Sequence, residues 1–178
     1  MKLNQKITVV MFAFAALVMF TAGSAFAQKG EFSGGLELGL PMGNFGDAAN
    51  IGIGASARYE APIQDKLNWT GNLGYLHFGS KGSGSGVSAS YGMIPIQGGI
   101  KYYFDKSNSG FYAGANLGFT ILSASVSVNG YSASSSSTYF SFAPGAGYRI
   151  NNLDFGALFQ IVSDANYFNI RAAYVFGK

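Results

Sequence analysis

This chain of 178 residues has no cysteine, one histidine, one tryptophan and four prolines, and only 11% of its residues are charged. Without cysteine there are no disulfides and no thiolate metal sites. A single histidine, His77, cannot anchor a metal by itself, and no third member of a catalytic triad can be placed around it. Basic clusters interleaved with aromatic residues are absent, which removes the usual signature of a nucleic-acid partner. A helical membrane span is missing too. The longest apolar stretch, Ile7–Ala22, has 16 residues, short of the roughly 20 a spanning helix needs.

That stretch has another meaning. Lys2 and Lys6 precede it, and Ala25-Phe26-Ala27 follows it as an A-x-A cleavage signal. Residues 1–27 are expected to be a signal peptide and 28–178 the mature domain. Removing Lys2 and Lys6 leaves 9 basic against 8 acidic residues, a net charge of +1. The high isoelectric point therefore implies no polyanionic partner.

Beyond Phe32 the chain is ordered by alternation. Eight runs, 32–40, 51–61, 67–78, 94–104, 111–121, 140–150, 153–161 and 168–176, place apolar residues on one parity. That parity holds 45 positions, 40 of them apolar and none charged. The opposite parity carries Glu37, Arg58, Glu60, Lys101, Arg149, Asp154 and Arg171. Successive strand side chains point to opposite faces, so each run reads as a strand with one apolar and one polar side.

Glycine decides which side faces inward. The polar parity holds 11 glycines in 38 positions and the apolar parity three. Small residues belong where space is scarce, so the polar face lines the interior and the apolar face meets lipid. Aromatic residues on the apolar parity form two groups. One runs from Phe32 and Tyr59 to Tyr174 and Phe176; the other includes Tyr75, Phe119, Phe140 and Phe159. Two aromatic girdles suit the two interfaces of a bilayer. Connections alternate between short turns (Pro62–Lys66, Asp105–Gly110, Asn151-Asn152) and longer loops (Pro41–Asn50, Gly79–Met93, Leu122–Tyr139), with a short last one at Ser163–Tyr167. The expectation is an all-β, eight-stranded antiparallel up-and-down transmembrane barrel. Pro95 and Pro144 fall inside strands, where a bulge or a water partner is expected.

Eight strands, inverted polarity and the final run Asn169-Ile170-Arg171-Ala172-Ala173-Tyr174-Val175-Phe176 resemble the small outer-membrane β-barrels of Gram-negative bacteria, the OmpA-transmembrane-domain and OmpX-like type. The resemblance covers the whole mature chain. It implies an outer-membrane location, lipid contact, and delivery by the outer-membrane insertion machinery, which in that family reads a terminal aromatic residue; here Gly177-Lys178 follow Phe176. Fold alone does not assign an activity.

An eight-stranded barrel has an interior barely wider than its side chains. The lumen charges, with Tyr103 and Tyr112, are therefore expected to form a polar plug of paired ions, the rival being a small pore for ions or solutes. Arg149 should pair with Asp154 across the Asn151-Asn152 turn. An outer-membrane lipid-modifying enzyme is a third reading, with only His77 to recommend it. Gly52–Ala57 imitates a nucleotide fingerprint as a string, but no helix follows it. No cofactor is expected.

Asn129-Gly130 is a strong two-residue turn signal. Folding about it makes facing residues sum to 259, setting Phe119 opposite Phe140 and Gly114 opposite Gly145. Strands 5 and 6 then become one long hairpin, the rival being a flexible serine-rich loop over 122–139, since the Ser134–Ser137 run has weak strand propensity. Polarity inverts after Ile121, where lipid should give way to water. The expected interaction surface is Ala124, Val126, Val128, Asn129, Gly130, Tyr131 and Ala133, presented beside two exposed backbone edges. The sequence reading is a monomeric, non-enzymatic barrel that binds an extracellular protein.

Overall fold

A computed structural model describes residues 30–81, 87–105, 108–128, 131–163 and 165–176. Residues 1–27 and the Asn129-Gly130 tip lie outside these. Eight strands follow one another: β1 (Glu31–Pro41), β2 (Ala49–Gln64), β3 (Leu67–Ser80), β4 (Val87–Tyr103), β5 (Gly110–Val128), β6 (Tyr131–Ile150), β7 (Leu153–Val162) and β8 (Tyr167–Phe176). One short helix, α1 (Gly43–Ala48), joins β1 to β2. Every sequential pair is antiparallel, and β8 closes on β1 from Phe32↔Phe176 to Pro41↔Tyr167. Closure leaves no free sheet edge at membrane depth, as a lipid environment demands.

The polarity of the faces is as the sequence implies. Leu36, Ile53, Leu73, Ile100, Leu117 and Ile170 are exposed on the outside, flanked by Phe32, Phe111 and Phe176 toward one rim and Tyr75, Phe119 and Phe140 toward the other. Arg58, Lys101, Asp154 and Arg171 are buried inside. Crowding explains the inward glycines. A Cβ at Gly147 would collide with the Tyr112 hydroxyl, and one at Gly99 with Asn116 Oδ1.

Three features differ from expectation. First, of the two accommodations expected for the strand prolines, a bulge is used at neither. Around Pro95 the β3–β4 ladder lapses between Leu73↔Ile96 and Leu76↔Met93 and resumes in the same register. Around Pro144 the β6–β7 ladder does the same between Phe142↔Ile161 and Gly145↔Leu158. Each proline stays paired on its other side, with Thr120 and Ala115 of β5 respectively. One missing N–H therefore interrupts two successive pairs without adding a residue, and Gly74 makes room for the Pro95 ring. The register shifts fall instead at the ends of β2.

Second, the Pro41–Asn50 loop contains α1, entered through Gly43 at φ +57°, a left-handed value that glycine adopts freely. Third, β4 begins at Val87 rather than Ile94. Strands β4, β5 and β6 therefore all continue past the lipid-facing band.

Candidate functional site

Two regions carry the chemistry: the lumen, and the outer sheet made by the extensions of β4, β5 and β6. Alternation brings all seven charged residues named from the sequence into the lumen, where each is buried. They form layers. In one, Lys101 Nζ donates to Glu60 at 2.9 Å and to Asp154 at 2.5 Å. The Tyr103 hydroxyl and Asn68 amide donate to Glu60 at 2.9 and 2.6 Å, and the Tyr112 hydroxyl donates to Asp154 at 2.6 Å. Lys101 Nζ also lies 3.9 Å from the centre of the Tyr112 ring, within cation–π range. A desolvated ammonium is thus met by two carboxylates and a ring face.

Next, Arg171 lies 3.7 Å from Glu37 and donates to Ser56 and Ser33 at 2.9 and 3.1 Å. Arg58 donates to Asn72, while Asn72 and Thr70 both donate to Asn116. Between Arg58, Thr70, Lys101, Tyr112 and Asn116 remains a cavity of about 20 Å³, room for about one water. Gln97 then bridges Ser141 and Gln160 at 2.9 and 3.0 Å.

The Arg149–Asp154 pairing is half right. They face each other in the β6–β7 ladder, but Arg149 donates to Glu31 at 2.6 Å and Asp154 serves Lys101. Facing positions share a rung, whereas long side chains lean along the strand and reach across a narrow lumen. Glu31 is the member the sequence reading missed. It precedes the first run by one residue, on the lumen parity, and that parity was the available signal. With it, four lumen cations (Arg58, Lys101, Arg149, Arg171) meet four carboxylates (Glu31, Glu37, Glu60, Asp154) among the described residues.

The outer end of the lumen is apolar, which alternation alone did not reveal. Phe45 of α1 turns inward and packs edge-on against Phe78 and Tyr91, with ring centres 5.2 and 5.5 Å apart. Ala49, Leu76, Met93, Val162, Ala165 and Tyr167 complete a buried cluster. Leu76 and Phe78 were visible as apolar residues on the polar parity; Phe45 sits in a loop with no periodicity to place it.

Above this cluster stands the outer sheet. The β5–β6 register sums to 259 from Gly110↔Arg149 to Val128↔Tyr131, including Phe119↔Phe140 and Gly114↔Gly145. The projecting element is a three-stranded sheet rather than a two-stranded ribbon. Backbone pairs Val87↔Val128, Ala89↔Val126 and Tyr91↔Ala124 cover the β5 edge that was expected to be open. The signal was the alternation Val87, Ala89, Tyr91, Met93, which repeats the inverted polarity of 122–128. One face carries Ala89, Ala124, Val126 and Ala133; the other carries rows such as Ser90↔Ser125↔Ser134. Val126 and Tyr131 are 42% and 86% exposed. β6 keeps the longer free edge: β7 ends at Val162 opposite Ser141, and among the described residues no strand pairs with 131–140 on that side, whereas the outer end of β4 is without a β3 partner only over Val87–Ala89.

His77 is exposed on the lipid parity, its strand neighbours being Ile53 and Gly92. The described residues contain no group of three or more His, Cys, Asp or Glu positioned to hold a metal.

The fold has solved counterparts. The attachment invasion locus protein Ail of Yersinia pestis aligns at 15% identity, covering 84% of this chain and 99% of that one, with a TM-score of 0.61. The same protein crystallised with the heparin analogue sucrose octasulfate gives 16% identity, coverages of 83% and 97%, and a TM-score of 0.63. Neisserial surface protein A gives 16% identity, 82% and 95%, and 0.54. At these identities the likeness shows the fold alone. No curated sequence relative matches. The family model of the outer membrane protein beta-barrel domain matches residues 12–176, and with an inverted-polarity closed barrel beneath that match, the chain belongs to this outer-membrane β-barrel family of Gram-negative bacteria.

Proposed function

We propose that this protein is a non-enzymatic surface-interaction barrel, monomeric within its own membrane, whose lumen is plugged and whose outer sheet binds extracellular protein. The observation that carries the reading is the free β6 edge, residues 131–140, whose outer part 131–138 stands above the lipid band on a sheet already three strands wide. Exposed strand edges bind by adding a partner strand, with main-chain hydrogen bonds giving affinity and neighbouring side chains giving selectivity. Ala124, Val126, Val128, Asn129, Gly130, Tyr131 and Ala133 are the residues proposed to supply that selectivity.

The partner follows from charge. Residues 87–94 and 121–140 contain no Asp, Glu, Lys, Arg or His, so this sheet offers no cation to a sulfated ligand of the kind crystallised with Ail. A backbone-recognised polypeptide suits it better. The plug is supported by successive layers: matched ions, an amide layer at Gln97, then the apolar cluster around Phe78. The non-enzymatic reading is supported by the surroundings of His77, whose strand neighbours offer no acid and no nucleophile.

Replacing Ser123–Thr138 by a short Asn-Gly turn tests the reading. The barrel should still fold, judged by heat-modifiable gel migration, because every residue removed lies above the apolar band. Binding to an array of purified extracellular-matrix and serum proteins should disappear. Equal binding by the shortened and full chains would refute the assignment. Cleavage after Ala27 belongs to the same proposal and is checked by sequencing the N-terminus of the membrane-extracted protein.

A further inference from the structure

We infer that the β6 edge pairs with the β6 edge of a second copy of this chain in an opposing membrane, so that the barrel joins membranes by antiparallel strand addition. The inference rests on the surface-binding reading above and names its partner.

Backbone direction comes first. Within a strand, residues alternate between bonding to one neighbour and to the other. The two-residue turn Asn151-Asn152 makes Ile150↔Leu153 the first rung of β6–β7, and in such hairpins that rung is hydrogen-bonded. Even-numbered β6 residues therefore bond toward β7 and odd-numbered ones toward β5. Pro144 agrees: it interrupts the β7 ladder but keeps its β5 partner Ala115. The β5–β6 register never shifts up to Val128↔Tyr131, so the alternation carries upward unbroken. Above Ser141 the even residues 132, 134, 136 and 138 aim N–H and C=O away from β5, where no strand among the described residues meets them.

Natural edges are protected by lysine, proline, bulges or shortness. This edge has none of these: Tyr131–Phe140 is ten residues without charge or proline, about 34 Å long at strand rise. The missing charge also selects the partner. In a two-fold interface each group near the axis meets its own copy, so any charge there would repel itself. A dissimilar partner permits complementary charges; a self-complementary surface works best with none. The whole outer sheet has none.

Facial polarity then fixes the geometry. Two identical edges in one membrane are related by an axis along the bilayer normal, which makes the strands parallel and inverts one sheet. The serine face of one copy would then continue into the apolar face of the other. Antiparallel pairing uses an axis perpendicular to the sheet and keeps each face continuous, serine beside serine on one and, on the other, Ala133 beside Tyr139 of the counterpart with Ser135 and Ser137 between them. That arrangement points the two barrels in opposite directions, which two facing membranes allow and one membrane does not. Centred on Ser136, it sets Ser134 opposite Thr138.

The test uses the mature barrel refolded in phosphatidylcholine vesicles, in two populations carrying different tags and dyes. Barrel-bearing vesicles should cluster with each other, not with empty ones. Ser134→Pro/Ser136→Pro removes only outward amides, so heat-modifiable migration should persist while clustering is lost. Ser134→Lys/Ser136→Lys places like charges at the axis; clustering should be lost at low salt and regained at high salt. In a chain without cysteine, oxidised Ser136→Cys should yield disulfide dimers joining the two tags. Absence of clustering, clustering with empty vesicles, clustering that survives both edge variants, or disulfides confined to one population would each overturn the inference. Array binding that is lost from the shortened chain, beside vesicles that never cluster, would leave the surface-binding reading standing with another protein as partner.

Discussion

Arg149 and Asp154 face each other across the β6–β7 ladder, yet Arg149 binds Glu31 and Asp154 binds Lys101. The distinction between sharing a rung and sharing a charge has a measurable consequence. Lys101 and Asp154 are both buried, and removing one partner of a buried pair costs about 3–5 kcal/mol because the other is left unpaired. Lys101→Ala should show a loss of that size in denaturant refolding titrations. A double-mutant cycle should give Lys101–Asp154 a larger coupling than Arg149–Asp154. The reverse order would mean that the ladder neighbours, not the cross-lumen partners, are joined.

Lipid exposure gives the second prediction. Leu117 is 57% exposed on the outer face opposite Phe142 and Gly98, so Leu117→Arg should cost about 2–4 kcal/mol in lipid vesicles if it lies near the midplane. Tyr131 is more exposed still, at 86%, but stands in water beyond the band. Tyr131→Arg should leave folding free energy nearly unchanged. Equal costs for the two would place the water boundary wrongly.

The third prediction concerns the apolar cluster. Phe78 is fully buried between Phe45 and Tyr167, with ring centres 5.2 and 5.5 Å away. Phe78→Ala should destabilise the barrel by about 3–5 kcal/mol, as large-to-small changes in packed cores do. His77→Ala, the adjacent residue on the lipid side, should cost little. A small loss at Phe78, seen in the same refolding titrations, would show that the outer lumen is not packed.

The barrel itself was legible because two-residue periodicity is a local property, and lipid on one side sharpens it. Strand number, face assignment and the 259 register all follow from that pattern and from the Asn129-Gly130 and Asn151-Asn152 signals. What escaped depends on contacts distant in sequence. Glu31 acquires its role only from Arg149, 118 residues away. Phe45 becomes a core residue only because Phe78 and Tyr91 are brought over it by closure. The extension of β4 was written in the alternation Val87, Ala89, Tyr91, but its polarity is inverted relative to the membrane run. A reading tuned to lipid-facing strands therefore stopped at Ile94.

The last prediction follows from two seals of different chemistry in series. The ion layer at Lys101 is stabilised by charge matching, and the cluster at Phe78 by exclusion of water. Damage to one leaves the other in place. In planar bilayers the wild-type barrel should be silent. Lys101→Ala should also be silent, since the Gln97 bridge and the apolar cluster still block the lumen above it. Phe45→Ala/Phe78→Ala opens the outer end but leaves the matched ions below, so it too should carry no current. Only when Gln97→Ala is added to these three, removing the bridge to Ser141 and Gln160 that lies between the seals, should conductance steps appear, and these should favour cations, because Glu60 and Asp154 would then stand without Lys101 between them. Steps from the wild type would make the barrel a pore. Steps from Lys101→Ala alone would show that the ion layer, not the cluster, is the seal.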